Sequence, residues 1–321
     1  MRAIRFDHVS KRFPGAPRPA VDDCSFRVAA GAFVVLLGPS GCGKTTLLKM
    51  VNRLYEPTGG TIFLDDTDVR RLPVTALRRQ IGYVIQQTGL FPHMTVAENI
   101  AVVPRLLGWG RARVAARVDE LLALVELAPP EFRDRYPAQL SGGQQQRIGL
   151  ARALAGDPGV ILMDEPFSAI DASTREALQD ELVRLQRAVR KTVLFVTHDV
   201  EEALRLADLI VVMRDGRVVQ YDTPLAILAR PADPFVAELV GADDMVRRLG
   251  LVRVDRVMAP LPPGFHADGL PAIGATDDVR HALSLLLRTG ARTLVVREGD
   301  APVGTLALEQ ILDAARVGAP T

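Results

Sequence analysis

Lysine is scarce in this 321-residue chain, occurring only at Lys11, Lys44, Lys49 and Lys191; arginine supplies the other positive charges. No charge sign dominates: 39 Lys and Arg stand against 38 Asp and Glu, a formal net charge of +1. A protein that grips nucleic acid by its phosphates carries a clear basic excess, so the balance argues against a nucleic-acid partner. Cysteine is limited to Cys24 and Cys42, too few for a disulfide framework, which points to a reducing compartment. Long apolar stretches are missing as well. Runs such as Phe33–Leu37 and Leu209–Met213 fall far short of the roughly 20 residues a membrane-spanning helix needs. Met1–Ser10 is charged and lacks the apolar core of a signal peptide. The expectation is a chain that crosses no bilayer itself and reaches any membrane through a partner.

The hydrophobic content is 48%, ordinary for a globular protein, and the length suits about two domains. Val34–Leu37, Val160–Met163, Val193–Val196 and Ile210–Met213 are short, β-branched apolar runs, the pattern of strands buried on both faces of a parallel sheet. Helical periodicity lies between them, at Val114–Leu127 and Arg175–Val189. Alternating strands and helices predict an α/β fold. Arg2–Ala30 instead alternates polar and apolar residues around a turn at Pro14–Pro19, predicting antiparallel strands. Pro224, Pro231 and Pro234 punctuate the approach to a boundary near Gly241, giving expected domains 1–241 and 242–321. In the second, Leu251–Met258 reads as a strand or short helix. Then come a helix at Asp277–Thr289, strands at Thr293–Arg297 and Val303–Leu306, and a last helix at Leu308–Arg316.

Gly38-Pro39-Ser40-Gly41-Cys42-Gly43-Lys44-Thr45 fits the phosphate-loop pattern G-x-x-x-x-G-K-[ST], between a predicted strand and a predicted helix. Its glycines let backbone N–H groups converge on phosphate oxygens. Lys44 would neutralise the β and γ phosphates of a nucleotide, Thr45 would offer its hydroxyl to Mg²⁺, and Thr46 would assist. Cys42 reads as a small filler, not a redox centre. Val160–Met163 runs into Asp164 and Glu165. Neighbouring strand residues face opposite sides, so the two acids need not share a role. Asp164 would hold Mg²⁺; Glu165 would polarise the water that attacks the γ-phosphate.

Leu140-Ser141-Gly142-Gly143-Gln144-Gln145-Gln146-Arg147 decides between classes. Ser141 suits a helix N-cap, and the glycines leave the next amides open to an anion at the positive end of a helix from Gln144. With this LSGGQ stretch between the phosphate loop and the acid pair, the chain resembles the ATP-binding subunit of an ABC transporter over residues 1 to about 240. The resemblance implies a P-loop nucleotide-binding domain with a mostly parallel core sheet, an antiparallel β subdomain and a helical subdomain. It also implies a second copy of the chain, since Ser141, Gly142, Gly143 and Gln144 would bind the γ-phosphate of ATP held by that copy in a nucleotide-sandwich dimer.

Further residues follow from the same resemblance. Gln86, after Gly82–Ile85, would link Mg²⁺ and the attacking water to a membrane subunit, with Gln87 as its fallback. Ser168–Asp171 resembles the loop that couples the two sites, Asp171 included. His198, in Thr197-His198-Asp199, would bond the γ-phosphate and hold Glu165 in place. Phe13 would stack on adenine. Leu90–Ile100 resembles the importer branch, and Val51–Gly60, Ile81–Gln87 and Val102–Trp109 resemble the glycine betaine/carnitine/choline importers. Such a subunit sits peripherally on the cytoplasmic side of the inner membrane, with two integral membrane permease subunits and, indirectly, a substrate-binding protein. Residues 257–304 resemble a CBS unit, a small α+β regulatory domain, here in a single repeat. Its nucleotide-contact places fall on Ala307 and Gln310, which suit adenosine poorly. Two alternatives stand beside this reading: an importer ATPase for an amino acid or polyamine, and a soluble, non-transport ABC ATPase.

Overall fold

The apolar runs form the centre of a six-stranded sheet. Its order is Arg217–Asp222, Leu209–Arg214, Phe33–Leu37, Thr192–Thr197, Val160–Asp164, Ile81–Val84. Phe33–Leu37 runs parallel to both its neighbours, and Val160–Asp164 runs parallel to Thr192–Thr197 and to Ile81–Val84. Parallel strands need crossover connections that cover both faces, which is why these runs are continuously apolar. The computed structural model describes residues 1–86, 89–168, 170, 172–262 and 269–316. It divides into two units, Met1–Tyr221 and Asp222–Thr321.

In the first unit, Ile4–Lys11, Val21–Val28 and Gly59–Leu64 form the predicted antiparallel sheet, extended by Thr67–Asp68. Every second residue of the strands points into one core: Ile4 and Phe6 from this sheet, Val34, Leu36, Leu162, Leu194 and Val211 from the parallel one. The helix Lys44–Val51 contributes Leu47, Leu48, Met50 and Val51 to the same core. The phosphate loop is thereby anchored at both ends, by a central strand before it and a buried helix after it. The Leu209–Arg214 and Arg217–Asp222 strands are joined through Asp215 and Gly216, both at positive φ (50° and 82°), which the sequence reading left unassigned.

The second unit opens with helices Pro224–Ala229 and Pro234–Val240. Pro224 and Pro234, two of the prolines that punctuate the approach to Gly241, start these helices. Each stands in the first turn, where no backbone donor is needed, behind a side-chain cap from Thr223 or Asp233. Leu251–Met258 contains a 3₁₀ turn at Val254–Arg256, and a short strand follows at Ala259–Pro260. A four-stranded sheet is ordered Ala259–Pro260, Ala301–Ala307, Thr293–Glu298, Ala272–Gly274, and the helices Val279–Thr289 and Leu308–Arg316 accompany it. Val279, Ala282, Leu286, Leu294, Val296, Leu306 and Ile311 form this unit's own core. Among the described residues, no helix is long and apolar enough to cross a membrane.

Candidate nucleotide site

The phosphate loop holds its shape through glycine. Gly38, Gly41 and Gly43 have φ of 154°, 80° and 104°, which side chains resist. A Cβ on Gly38 would strike the Met213 carbonyl oxygen, and one on Gly43 the Ala20 carbonyl oxygen. Gly43 caps the helix Lys44–Val51 without any side-chain bond, so the first amides there keep their donors for an incoming anion. Pro39, Ser40 and Gly41 are exposed at the tip, while Thr45 and Thr46 are half-buried. Lys44 is buried, and its ammonium donates to the carbonyls of Gly38 (2.6 Å) and Pro39 (2.9 Å). The loop's own carbonyls thus hold the cation at the cradle. Burial pushes the Cys42 thiol up, and its sulfur lies 3.8 Å from the Lys44 ammonium.

Thr45 Oγ1 donates to Asp164 Oδ1 at 2.7 Å, joining the helix start to the end of the Val160–Asp164 strand. Asp164 is buried, with Lys49 Nζ 3.9 Å and the Tyr83 hydroxyl 3.5 Å from Oδ2. Burial, and then the charge of Asp164, push the Tyr83 phenol above its usual range. The sequence reading passed over Lys49 and Tyr83. The available signals were spacing, with Lys49 one helical turn after Thr45, and position, with Tyr83 on the strand beside Asp164's own. A hydroxyl and a carboxylate in contact are hard oxygen donors suited to Mg²⁺, which takes few protein ligands and completes its shell with phosphate and water. Among the described residues no group of three or more His, Cys, Asp or Glu is placed to hold a metal.

Glu165 leaves the strand at φ 46°. Its N–H donates to the Val196 carbonyl (3.0 Å), and its Oε2 lies 3.1 Å from His198 Nδ1. His198 is positioned by a braced strand end. The Thr197 hydroxyl donates to the buried Glu202 (2.6 Å) and accepts from the Asp199 amide (2.9 Å), and Asp199 caps the helix Val200–Leu206. Burial raises the Glu202 carboxyl.

The structure therefore brings together the phosphate loop, Lys44, Thr45, Asp164, Glu165 and His198. Gln86 is exposed, two residues past the end of the Ile81–Val84 strand. Phe13 is half-buried, set edge-on against Tyr55 with centroids 5.3 Å apart. Ser141 caps the helix Gly142–Leu154, which begins two residues earlier than expected. Its hydroxyl accepts from the Gln144 amide, and the Gln144 side chain accepts from Ser141 N–H (3.0 Å). Ser141 and Gly142 are exposed, and the open amides of Gly142 and Gly143 lie in this first turn. Gln87 and Asp171 lie outside the described residues.

A P-loop cradle, a carboxylate pair at a strand end and a capped LSGGQ helix define an ATP-hydrolysing cassette, and the comparisons with known proteins agree. The ABC transporter family profile matches residues 21–168. The glycine betaine uptake system ATP-binding protein YehX of Escherichia coli is 49% identical over 310 residues, covering 96% of this chain and 99% of that protein. The carnitine transport ATP-binding protein OpuCA of Listeria monocytogenes is 47% identical over 310 residues, 96% of this chain and 76% of that protein. The spermidine/putrescine import ATP-binding protein PotA of Pseudomonas fluorescens is 47% identical over 241 residues, 74% of this chain and 66% of that protein. A solved dimeric ATP-binding cassette in a post-hydrolysis state with ADP and Pi is 34% identical, with a TM-score of 0.61, over 69% of this chain and 98% of that one. The chain belongs to the ABC transporter family as an ATP-binding subunit.

Proposed function

We propose that this cassette hydrolyses Mg²⁺-ATP to energise an importer of quaternary amines such as glycine betaine, carnitine or choline. The carrying observation is the length of the match. Similarity to the glycine betaine and carnitine proteins extends over 310 residues, 96% of this chain, and to the polyamine protein over 241, 74% of it, so only the first two take in nearly the whole of both units.

In this reading, amides of Gly38–Gly43 and the Lys44 ammonium bind the phosphates, with Thr46 assisting. Thr45, Asp164 and Gln86 would hold Mg²⁺, which would offset phosphate charge. Glu165 accepts a hydrogen bond from the attacking water, and His198 fixes that carboxylate and reaches the γ-phosphate. Phe13 supports adenine. Ser141 and the amides that follow serve the nucleotide of a second copy, and Asp171 couples the two sites. The assembly includes two membrane permease subunits that this subunit meets peripherally from the cytoplasmic side, and a substrate-binding protein upstream of them. From about residue 242, inside the second unit, the chain serves as a single CBS-like regulatory module.

The test is uptake in cells lacking this subunit and complemented with it. Labelled glycine betaine, carnitine or choline should enter only in the complemented cells at high osmolarity. Restored spermidine uptake with no quaternary amine uptake would replace the substrate assignment.

A further inference from the structure

Behind the signature helix lies a buried ion pair that the nucleotide site does not use. Glu181, on the helix Ala172–Val189, is only 4% exposed, and its Oε2 lies 2.8 Å from Arg147 Nη2. Arg147 belongs to the signature helix Gly142–Leu154, and its Nη1 also donates to the Val125 carbonyl (3.1 Å). Two further charges face the pair. Glu126, two residues past the helix Arg111–Leu124, lies 3.8 Å from Arg147, and Arg184, on Glu181's own helix, lies 3.3 Å from Glu126. Neither oxygen of Glu181 takes a well-aligned hydrogen bond from the described residues, nor does the buried Gln146 Nε2 give one. Gln146, Arg147 and Glu181 line a small cavity with Pro166 and Phe167, which directly follow Glu165.

A buried ion pair is a poor way to stabilise a fold, since an apolar pair of similar volume serves as well or better. What this pair does supply is a fixed geometry between two helices. One presents Ser141 at its start; the other follows the turn that begins at Glu165. We propose that Glu181 is a positioning residue for ATP hydrolysis, its ion pair with Arg147 fixing the signature helix against the helix that follows the Glu165 turn. The inference rests on the ATPase reading above.

The pairing titrates in a useful range. Burial pushes the Glu181 carboxyl up to about 7; Arg147 and Arg184 pull it back, and Glu126 adds to the rise. The ion pair therefore forms above neutrality and is lost below it. For stability the sign is opposite to that of an ordinary surface acid. The contribution of a raised carboxyl is fully present below its unfolded value and is lost as pH rises through about 7. The charged pair thus costs stability in the range where it positions the helices, so removing it should separate stability from turnover.

The experiment measures ATP hydrolysis by the purified full-length chain from about pH 6 to about pH 8.5, beside Glu181→Gln. Glu165 and His198 are present in both proteins, so the difference between their profiles isolates Glu181. The variant is expected to turn over about tenfold more slowly at the alkaline end, with the rise near neutrality flattened. Its ATP affinity should not fall, the apolar pair Arg147→Met with Glu181→Leu should melt no lower than wild type at about pH 8, and Glu181→Asp should recover part of the rate. If Glu181→Gln does not fold, the apolar pair Arg147→Met with Glu181→Leu decides, with the same loss and the same flat profile expected. A folded variant with wild-type turnover and pH profile would overturn the inference and leave the ATPase reading standing. An inactive wild type would instead sink both.

Discussion

Glu165 and His198 meet at 3.1 Å because two neighbouring parallel strands end in register. Asp164 pairs with Val196; Glu165, one residue past that pair, and His198, two past it, are each the first residue beyond its strand and meet at the same point. The left-handed backbone of Glu165 turns its carboxylate out of the strand, while Asp164, one residue earlier, stays buried against Thr45. Two adjacent acids thereby acquire separate tasks.

His198→Ala removes the group that holds the Glu165 carboxylate. Turnover is expected to fall by about 10²-fold and ATP affinity by much less, because one γ-phosphate contact is lost while the loop amides and Lys44 remain. Steady-state ATPase assays with parallel nucleotide-binding titrations check this; equal losses of affinity and turnover would place His198 in binding instead.

Ser141→Arg should abolish turnover yet leave ATP binding to an isolated subunit close to normal. Ser141 is exposed and caps its own helix through Gln144, and the proposal sets it against the nucleotide of a second copy. Lys44→Ala is the control, since that cation sits in the cradle itself. If the Ser141 variant loses affinity as badly as the control, the two-copy arrangement is wrong.

Asp164→Asn keeps a hydrogen-bond acceptor for Thr45 but gives up the charge. The Mg²⁺ concentration needed for half-maximal ATP binding should rise by about tenfold or more, with metal-free ATP binding unchanged. An unaltered Mg²⁺ titration of binding would remove Asp164 from the metal site.

Both thiols should be inert in the folded protein. Burial pushes Cys24 up to about 11, and Cys42 is also buried and raised. A thiol reagent at neutral pH is expected to modify neither within the time it takes to label both after denaturation. Rapid labelling of Cys42 in the native chain would show the phosphate loop opening more readily than its glycine contacts suggest.

Much of this was legible from residues alone. The central strands were readable because burial on both faces removes polar residues from them, as at Val34–Leu37 and Val193–Val196. The phosphate loop and acid pair were readable because their chemistry fixes residue types at short spacing. Lys49 and Tyr83 were not, since what links them to Asp164 is a helix turn and a neighbouring strand. Pro224 and Pro234 read in the sequence only as punctuation before a boundary; that each opens a helix depends on the Thr223 and Asp233 caps, since proline suits a first turn and not a helix interior. In the second unit, Gln310 was weighed for a ribose contact. Its side-chain oxygen accepts from the Ala307 amide at 2.6 Å, which ties the side chain to its own helix start.

That contact bears on regulation. The expectation is that a chain ending at Gly241 retains ATP binding but loses its response to ionic strength, and that the full chain holds no adenine nucleotide beyond the one in the phosphate loop. Calorimetry on the Lys44→Ala protein tests the second point directly. A micromolar dissociation constant for AMP or ATP in that variant would make the second unit a nucleotide sensor.

The most direct test of the account is Glu165→Gln in the purified protein, with ATP binding and hydrolysis measured side by side. The account predicts wild-type affinity, an ATP-held dimer that accumulates on size exclusion, and hydrolysis reduced by at least about 10²-fold, because only the polarisation of water is lost. Undiminished hydrolysis with that carboxylate neutralised would contradict the assignment of Glu165, and with it the chemistry proposed for the whole site.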